Sequence, residues 1–281
     1  QDNAEECVRR VIGRLSDGHY IYPMDHGAQI SVRVSVDAHD RSATIDFTGT
    51  SDQHIGNYNA PRSICRAVVL YVFRTLVGAD IPLNEGCMKP LNVIIPEGSM
   101  LNPVYPAAVI AGNTEVSQAT CNALYAALGV MAGSQATMNN FVWGNERFQN
   151  YETIAGGTGA GPGFDGCDAI QTHMTNTLNT PIEALEMNYP LRVIQYAIRH
   201  GSGGVGSFHG GDGLIREFEF LKLASFTLLT ERRNTHPWGL NGGEPGMLGE
   251  NRLNGRSLPG KVHLQAEVGD RLTVMSAGGG G

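Results

Sequence analysis

YETIAGGTGAGPGFDG, residues Tyr151 to Gly166, and GSGGVGSFHGGDG, Gly201 to Gly213, decide how this chain must be read. Glycine here is too dense to be turn punctuation. The chain carries 37 glycines in 281 residues, nearly twice the usage of about 7% in an average protein. Glycine adds no core volume and loses more backbone entropy on folding than any other residue. Such density is kept where backbone must turn with positive φ, or where main-chain N–H groups closely approach a ligand or another chain. Thr, Asn, His and Asp lie among the glycines, so the expected product is a polar surface built largely from main chain.

Outward from this region the chain has room for one large or two modest domains. Twenty basic residues face 27 acidic ones, for a net charge of −7; there is no basic stripe, which excludes the usual nucleic-acid footprint. No apolar run approaches a membrane span, so no membrane partner is expected. Cys7, Cys65, Cys87, Cys121 and Cys167 are odd in number and form no CxxC pair, fitting reduced thiols of a cytoplasmic protein better than a disulfide framework or a zinc site. The opening QDNAEECVRRVIGRL is already in helical period, with Cys7, Val8, Val11, Ile12 and Leu15 on one face. That abrupt start, and the terminal Gly278–Gly281, read as a piece of something longer.

The pattern predicts an α+β fold with mixed or antiparallel sheets, a few packing helices, glycine-rich loops and a β-rich final third. QISVRVSV and SATIDFTG alternate across a short turn and predict a β-hairpin. A helix is expected after Asn59, capped by its side chain, with Ile64, Ala67, Val68, Tyr71, Val72 and Leu76 inward and Gly78 as its C-cap. LNVIIP reads as a short buried strand, with loop and strand onward to Val109. A second helix runs from near Thr114 to Gly129, and a third starts at the capping box Thr180-Pro181-Ile182-Glu183. RVIQYAIR, LIREFEFL, SFTLLTER and RLTVMS read as strands. The chain reads as one body, with a subdivision near residue 190.

Gly201–Gly206 matches G-x-G-x-x-G, but a loop and strand follow it where a dinucleotide fold needs a helix N-terminus. Gly255–Lys261 nearly matches a phosphate loop, but Val262 stands where the Ser/Thr that holds magnesium belongs. Both matches read as accidental, and no Cys/His metal spacing occurs. His173, His209 and His236 lie beside glycine-rich or polar loops, where a hydrogen-bonded structural role and a catalytic one are both open. Thr175-Asn176-Thr177 beside His173 is a candidate ligand lining. Arg232-Arg233 suits either an anion or a structural pair, and Cys87 sits in the exposed-looking LNEGCMKP.

GNYNAPRS, GADIPLNEGCMKPLNVIIPEGSMLNP, MNNFVWGN, YETIAGGTGAGP, THMTNT, GSGG, GGDG, LLTERR and GLNGGEPG follow one another in this order. Together they resemble the hydantoinase B family across the whole chain, and most closely the C-terminal part of ATP-dependent 5-oxoprolinases. N-methylhydantoinases and acetone or acetophenone carboxylase subunits share the scaffold. The resemblance implies hydrolysis of the 5-oxo-L-proline lactam to L-glutamate, coupled to ATP, with a hydantoinase A-like half binding the nucleotide. ATP and a divalent metal are then expected outside these residues, the metal-binding His/Asp upstream of Gln1, so no metal ligand is assigned here. Homo-oligomers are expected. The step needs oxyanion donors and a base. His173, Thr175 and Asn176 are the catalytic candidates, with Asn57, Asn59, Gly156, Gly157, Thr158, Gly159 and Arg232 for substrate. A non-catalytic scaffold that couples to the ATP-binding half remains the other reading.

Overall fold

A computed structural model describes residues 1–78 and 80–281. They form two compact units, Gln1–Val130 and Met131–Gly281.

In the first unit, α1 (Asp2–Ile12) buries Ala4, Val8 and Ile12, one residue per turn. Strands β1 (Gly18–Pro23), β2 (Gln29–Asp37) and β3 (Ser42–Asp46) form an antiparallel meander, so the expected hairpin is present as β2–β3. Helix α2 (Arg62–Leu76) carries the chain over to β4 (Leu91–Ile94), which pairs parallel to β3, as a parallel neighbour requires. The α2 face is turned from expectation. Val68 and Val72 are buried as expected, but the others are Cys65, Val69 and Phe73, and Ala67 is exposed. The helix is apolar on more than one side, so periodicity alone does not select the face.

Helix α3 (Ser117–Leu128) follows a π-helical turn at Gly112–Val116 and stops at Gly129, whose φ of 64° is left-handed. Gly18 lets β1 lie directly on α3, because a Cβ there would strike the Ala127 carbonyl group. Several expectations fail locally. Helix α2 has Pro61 at its N-cap with no side-chain cap, and its C-cap is Val77, not Gly78. Only Leu91 of β4 is buried, and no strand forms between it and Val109. Cys87 is fully buried in a 3₁₀ turn, Glu85–Met88, whose N-cap Asn84 accepts from the Gly86 N–H.

The second unit is a pair of antiparallel sheets. One has the order β11-β10-β13-β8-β7 and the other β12-β9-β5-β6. In chain order these are β5 (Asn140–Asn145), β6 (Phe148–Glu152), then α4 (Ile182–Asn188), β7 (Leu191–Arg199), β8 (Gly213–Phe220), β9 (Ala224–Leu229), β10 (Glu250–Leu253), β11 (Arg256–Leu258), β12 (Lys261–Ala266) and β13 (Arg271–Met275). Their inner faces share one core: Phe141 and Trp143 from β5, Phe218 and Phe220 from β8, Phe226 from β9, and Leu272 and Val274 from β13. Phe141 and Phe218 meet at 4.9 Å between ring centroids, within the range where aromatic pairs add to plain burial. Helix α4 has Pro181 as its N-cap and lacks the predicted capping box; the Thr180 N–H instead donates to the Glu152 carboxylate. The near phosphate loop, Gly255–Lys261, starts in the turn of the β10–β11 hairpin and runs through β11 to the start of β12; Asn254 and Gly255 make that turn at φ 51° and 78°, the backbone that Asn-Gly favours.

The glycines form a third structural element, a bundle of extended chains that are neither helix nor sheet. Its central chain is Ala277–Gly281. Gly278 N–H donates to Met247 O and, three residues on, Gly281 N–H donates to Glu244 O on the same neighbouring chain. Gly157 and Ala160 donate to Ala277 O and Gly280 O with the same spacing. Between these, Gly279 N–H bonds Gly211 O and Gly280 N–H bonds Gly133 O. A repeat of three residues, with every bond made to another chain, matches the three residues per turn and the absence of internal hydrogen bonds of a polyproline II helix. Only glycine suits it at this density. A Cβ at Gly157, Gly203, Gly210, Gly279 or Gly280 would collide with a neighbouring carbonyl.

Candidate functional site

Gly156–Gly159 are in this bundle, and their N–H groups are committed to it. Gly156 donates to Ile170 O, Gly157 to Ala277 O and Thr158 to Cys167 O, while Gly159 donates to the Ser134 hydroxyl, at 3.0–3.4 Å. Thr158 Oγ1 accepts from the Cys167 N–H. The donor role drawn from the resemblance therefore lacks free donors at these positions. The edges of the bundle are closed by carboxylates: Asp165 accepts from His209 N–H, Asp168 from Asp212 N–H, and Asp212 from Gly201 and Gly203 N–H.

The His173 segment adjoins this bundle. Gly156 and Ile170 form a β-bridge, so the chain does reverse between the two stretches. The segment 171–180 is then fastened to the end of β6. Gln171 Nε2 donates to the Thr153 hydroxyl at 3.0 Å, Asn179 Nδ2 donates to Thr153 O at 2.7 Å, and the Thr177 and Thr153 hydroxyls bond each other. His173 is half-buried, with left-handed backbone at φ 51°. Burial lowers its imidazole from the ordinary 6.5 to about 4, so at neutral pH the ring is uncharged. Thr175 is buried in a turn, with its N–H on Thr172 O, and Asn176 is exposed.

Beneath this segment lies a pair that the sequence reading missed. Arg216 and Glu152 are both buried and meet at 2.9 Å, with the Tyr196 ring 4.6 Å from the guanidinium carbon. Burial raises the Glu152 carboxyl above its ordinary value against the pull of Arg216 and the Thr180 N–H. The signal was present in LIREFEF: strict alternation puts Arg216 on the inner face with Leu214, Phe218 and Phe220.

A second polar hub surrounds Arg233. Its guanidinium donates to Asn139 Oδ1 and Asn251 Oδ1, each at 2.7 Å, and to Glu231 O at 2.6 Å. Asn139 Nδ2 in turn bonds Gln135 Oε1 and Ile154 O. The candidate anion ligand Arg232 is almost wholly buried. It donates to His236 O at 3.1 Å and lies over the Trp238 ring. These contacts favour the structural alternative for the Arg232-Arg233 pair. A cavity of about 310 Å³ opens at the end of the bundle, lined chiefly by Gly161, Pro162, Phe208, Leu240, Asn241 and Gly281, rather than by His173–Thr177.

In the first unit, Asn59 is fully buried and is a clasp, not the helix cap expected. Its Oδ1 accepts from His54 N–H at 2.7 Å, and its Nδ2 donates to His54 O, Gly56 O and Ala108 O. Asn57 O accepts from Ala111 N–H across the same two loops. Beside them His26 stacks on Tyr58 at 4.2 Å, and the His54 ring meets Tyr58 edge-on. Among the described residues no group of three or more His, Cys, Asp or Glu is gathered to hold a metal ion. Among the same residues no helix is long and apolar enough to cross a membrane.

The family model for hydantoinase B/oxoprolinase matches residues 1–281. The chain is 41% identical to a 5-oxoprolinase of Dictyostelium discoideum over 295 aligned residues, and 44% identical to 5-oxoprolinase 1 of Arabidopsis thaliana over 302. All of this chain is covered in both alignments, but only 23% and 24% of those relatives. The chain thus spans about a quarter of their length. An ATP-dependent caprolactamase from Pseudomonas jessenii shares the fold, with a TM-score of 0.81 at 22% identity over 99% of this chain and 54% of that one. With a family model matched end to end, this chain belongs to the hydantoinase B/oxoprolinase family.

Proposed function

We propose that this chain is part of an ATP-coupled cyclic amidohydrolase that opens 5-oxo-L-proline to L-glutamate. The observation that carries the reading is identity above 40%, along the whole chain, to proteins named 5-oxoprolinase in two distant eukaryotes. A five-membered lactam is a poor electrophile, and ATP supplies the drive by activating the lactam oxygen. The nucleotide belongs to a hydantoinase A-like half, in the same polypeptide or a partner subunit, since neither glycine motif here is followed by the helix that phosphate binding needs. A divalent metal belongs with that other material as well.

Within this chain the second unit acts as a frame. The committed N–H groups of Gly156–Gly159 and the neutral imidazole of His173 favour this role over direct proton transfer, because an efficient general base has a pKa near the working pH. The frame holds the 171–180 segment in one conformation through Thr153, Glu152 and Arg216. His173, Thr175 and Asn176 then act by hydrogen bonding.

The test is turnover. The chain alone is expected to release neither phosphate nor glutamate above a heat-killed control. Combined with a hydantoinase A-type half, it is expected to release glutamate from 5-oxoproline in step with phosphate. Preferential turnover of N-methylhydantoin, or ATP-dependent carboxylation of acetone, would overturn the substrate choice. Turnover by the chain alone would overturn the division of labour.

A further inference from the structure

The sequence contains Leu-Asn-Gly twice, at Leu240–Gly242 and Leu253–Gly255, and these are its two Asn-Gly pairs. The structure gives both the same backbone. Asn241 and Gly242 have φ of 51° and 94°, and Asn254 and Gly255 have 51° and 78°. Each pair is the centre of a tight turn, closed at the first by Gly243 N–H on Leu240 O at 2.9 Å. All four residues are exposed. The turns differ in what holds the asparagine side chain. Asn254 Nδ2 donates to Asp270 Oδ1 at 2.7 Å, and its Oδ1 accepts from Arg271 N–H at 2.8 Å. Among the described residues, Asn241 makes no such bond. It stands at the rim of the cavity that ends the glycine bundle.

An asparagine followed by glycine is open to attack on its own side-chain amide. The backbone nitrogen of the glycine, unshielded by any Cβ, bonds to the asparagine Cγ as it gives up its proton. The Cγ–Nδ2 bond then breaks, ammonia leaves with that proton, and a five-membered succinimide remains. Water adds to either carbonyl of the ring and yields aspartate or isoaspartate, so the net change is asparagine plus water to acid plus ammonia. The reaction needs the Cγ to swing toward the following nitrogen. A carboxamide tied at both ends resists that motion, and an untethered one does not.

We propose that Asn241 is a site of spontaneous deamidation in the folded protein, and that Asn254, in the same local sequence and the same turn, is protected by the Asp270–Arg271 clamp. The product places a carboxylate at the mouth of the bundle cavity. In isoaspartate form it also adds a methylene to the backbone of a turn that packs against the central chain, where Leu240 N–H bonds Gly281 O at 2.8 Å.

The experiment is peptide mapping of the full chain incubated at mildly alkaline pH. Conversion is read from the mass gained when NH₂ becomes OH, and isoaspartate is resolved by retention time. The native chain is expected to convert Asn241 several-fold faster than Asn254. In denaturant the two rates are expected to approach each other, since the local sequence is shared. Asp270→Ala is expected to raise the Asn254 rate toward that of Asn241 and leave Asn241 unchanged. Equal rates in the native chain, faster loss at Asn254, or a native Asn241 that stays intact while the denatured one converts, would each overturn the proposal.

Discussion

Gly279→Ala is the sharpest test of the glycine bundle. A Cβ at this position would stand on the Thr158 carbonyl and lie 2.7 Å from Gly159 N, where non-bonded heavy atoms settle at about 3.5–4.0 Å. The obstacle is backbone on a neighbouring chain, so no rotamer change relieves it. The Thr158 oxygen is the nearest obstacle, and the chains must move apart by about 1.5–2 Å to restore ordinary contact with it. That movement stretches Gly279 N–H to Gly211 O and Gly204 N–H to Gly279 O, both 2.8 Å, along with Gly280 N–H to Gly133 O. Each buried donor or acceptor left unmade costs about 1–3 kcal/mol, so the expected loss is about 5 kcal/mol, comparable to the whole stability of many domains. Gly13→Ala is the control. Gly13 has φ −62° and its nearest prospective neighbour is at 3.6 Å, so alanine there is neutral or adds about 0.4–1 kcal/mol. Urea unfolding by circular dichroism and by tryptophan fluorescence, which reports on Trp143 and Trp238 of the second unit, reads both variants. If Gly279→Ala unfolds within about 1 kcal/mol of Gly13→Ala, a bundle packed too tightly for a methyl group is refuted.

Two further outcomes follow from the same contacts. His173 is lowered to about 4 in the folded chain against an ordinary 6.5, so the unfolded state takes up the proton first and stability falls as pH drops from 6.5 toward 4, by up to about 3 kcal/mol. His173→Gln should flatten that part of the urea-midpoint profile, and an unchanged profile would show that this ring is not the group responsible. Asn59→Ala removes a side chain bonded to four backbone atoms and should destabilise the first unit by about 2–4 kcal/mol, with faster proteolysis of the 54–59 and 104–111 loops. Wild-type protection of those loops would contradict the clasp.

Much of the strand and helix content follows from sequence because period and burial coincide. RLTVM and LIREFEF alternate and are strands; Gly129 ends α3 because only a left-handed residue closes that helix cheaply. The same alternation carried Arg216 inward, although no one-dimensional pattern says that its partner is Glu152, 64 residues earlier. Caps were read less well: Asn59, Gly78 and Thr180 have the right chemistry for helix ends, yet the tertiary structure uses Asn59 to join two loops and Thr180 N–H to bind Glu152. Glycine density by itself determined that backbone would lie close to something. What it lies close to is decided only in three dimensions, because a chain of polyproline II type finds its hydrogen-bond partners on several neighbours far along the sequence. Gly279 joins Gly204 and Gly211, and Gly157 joins Gln135 and Ala277. Glycines that share bonds this way and glycines that cradle a ligand are the same letters, and the difference is where each N–H points.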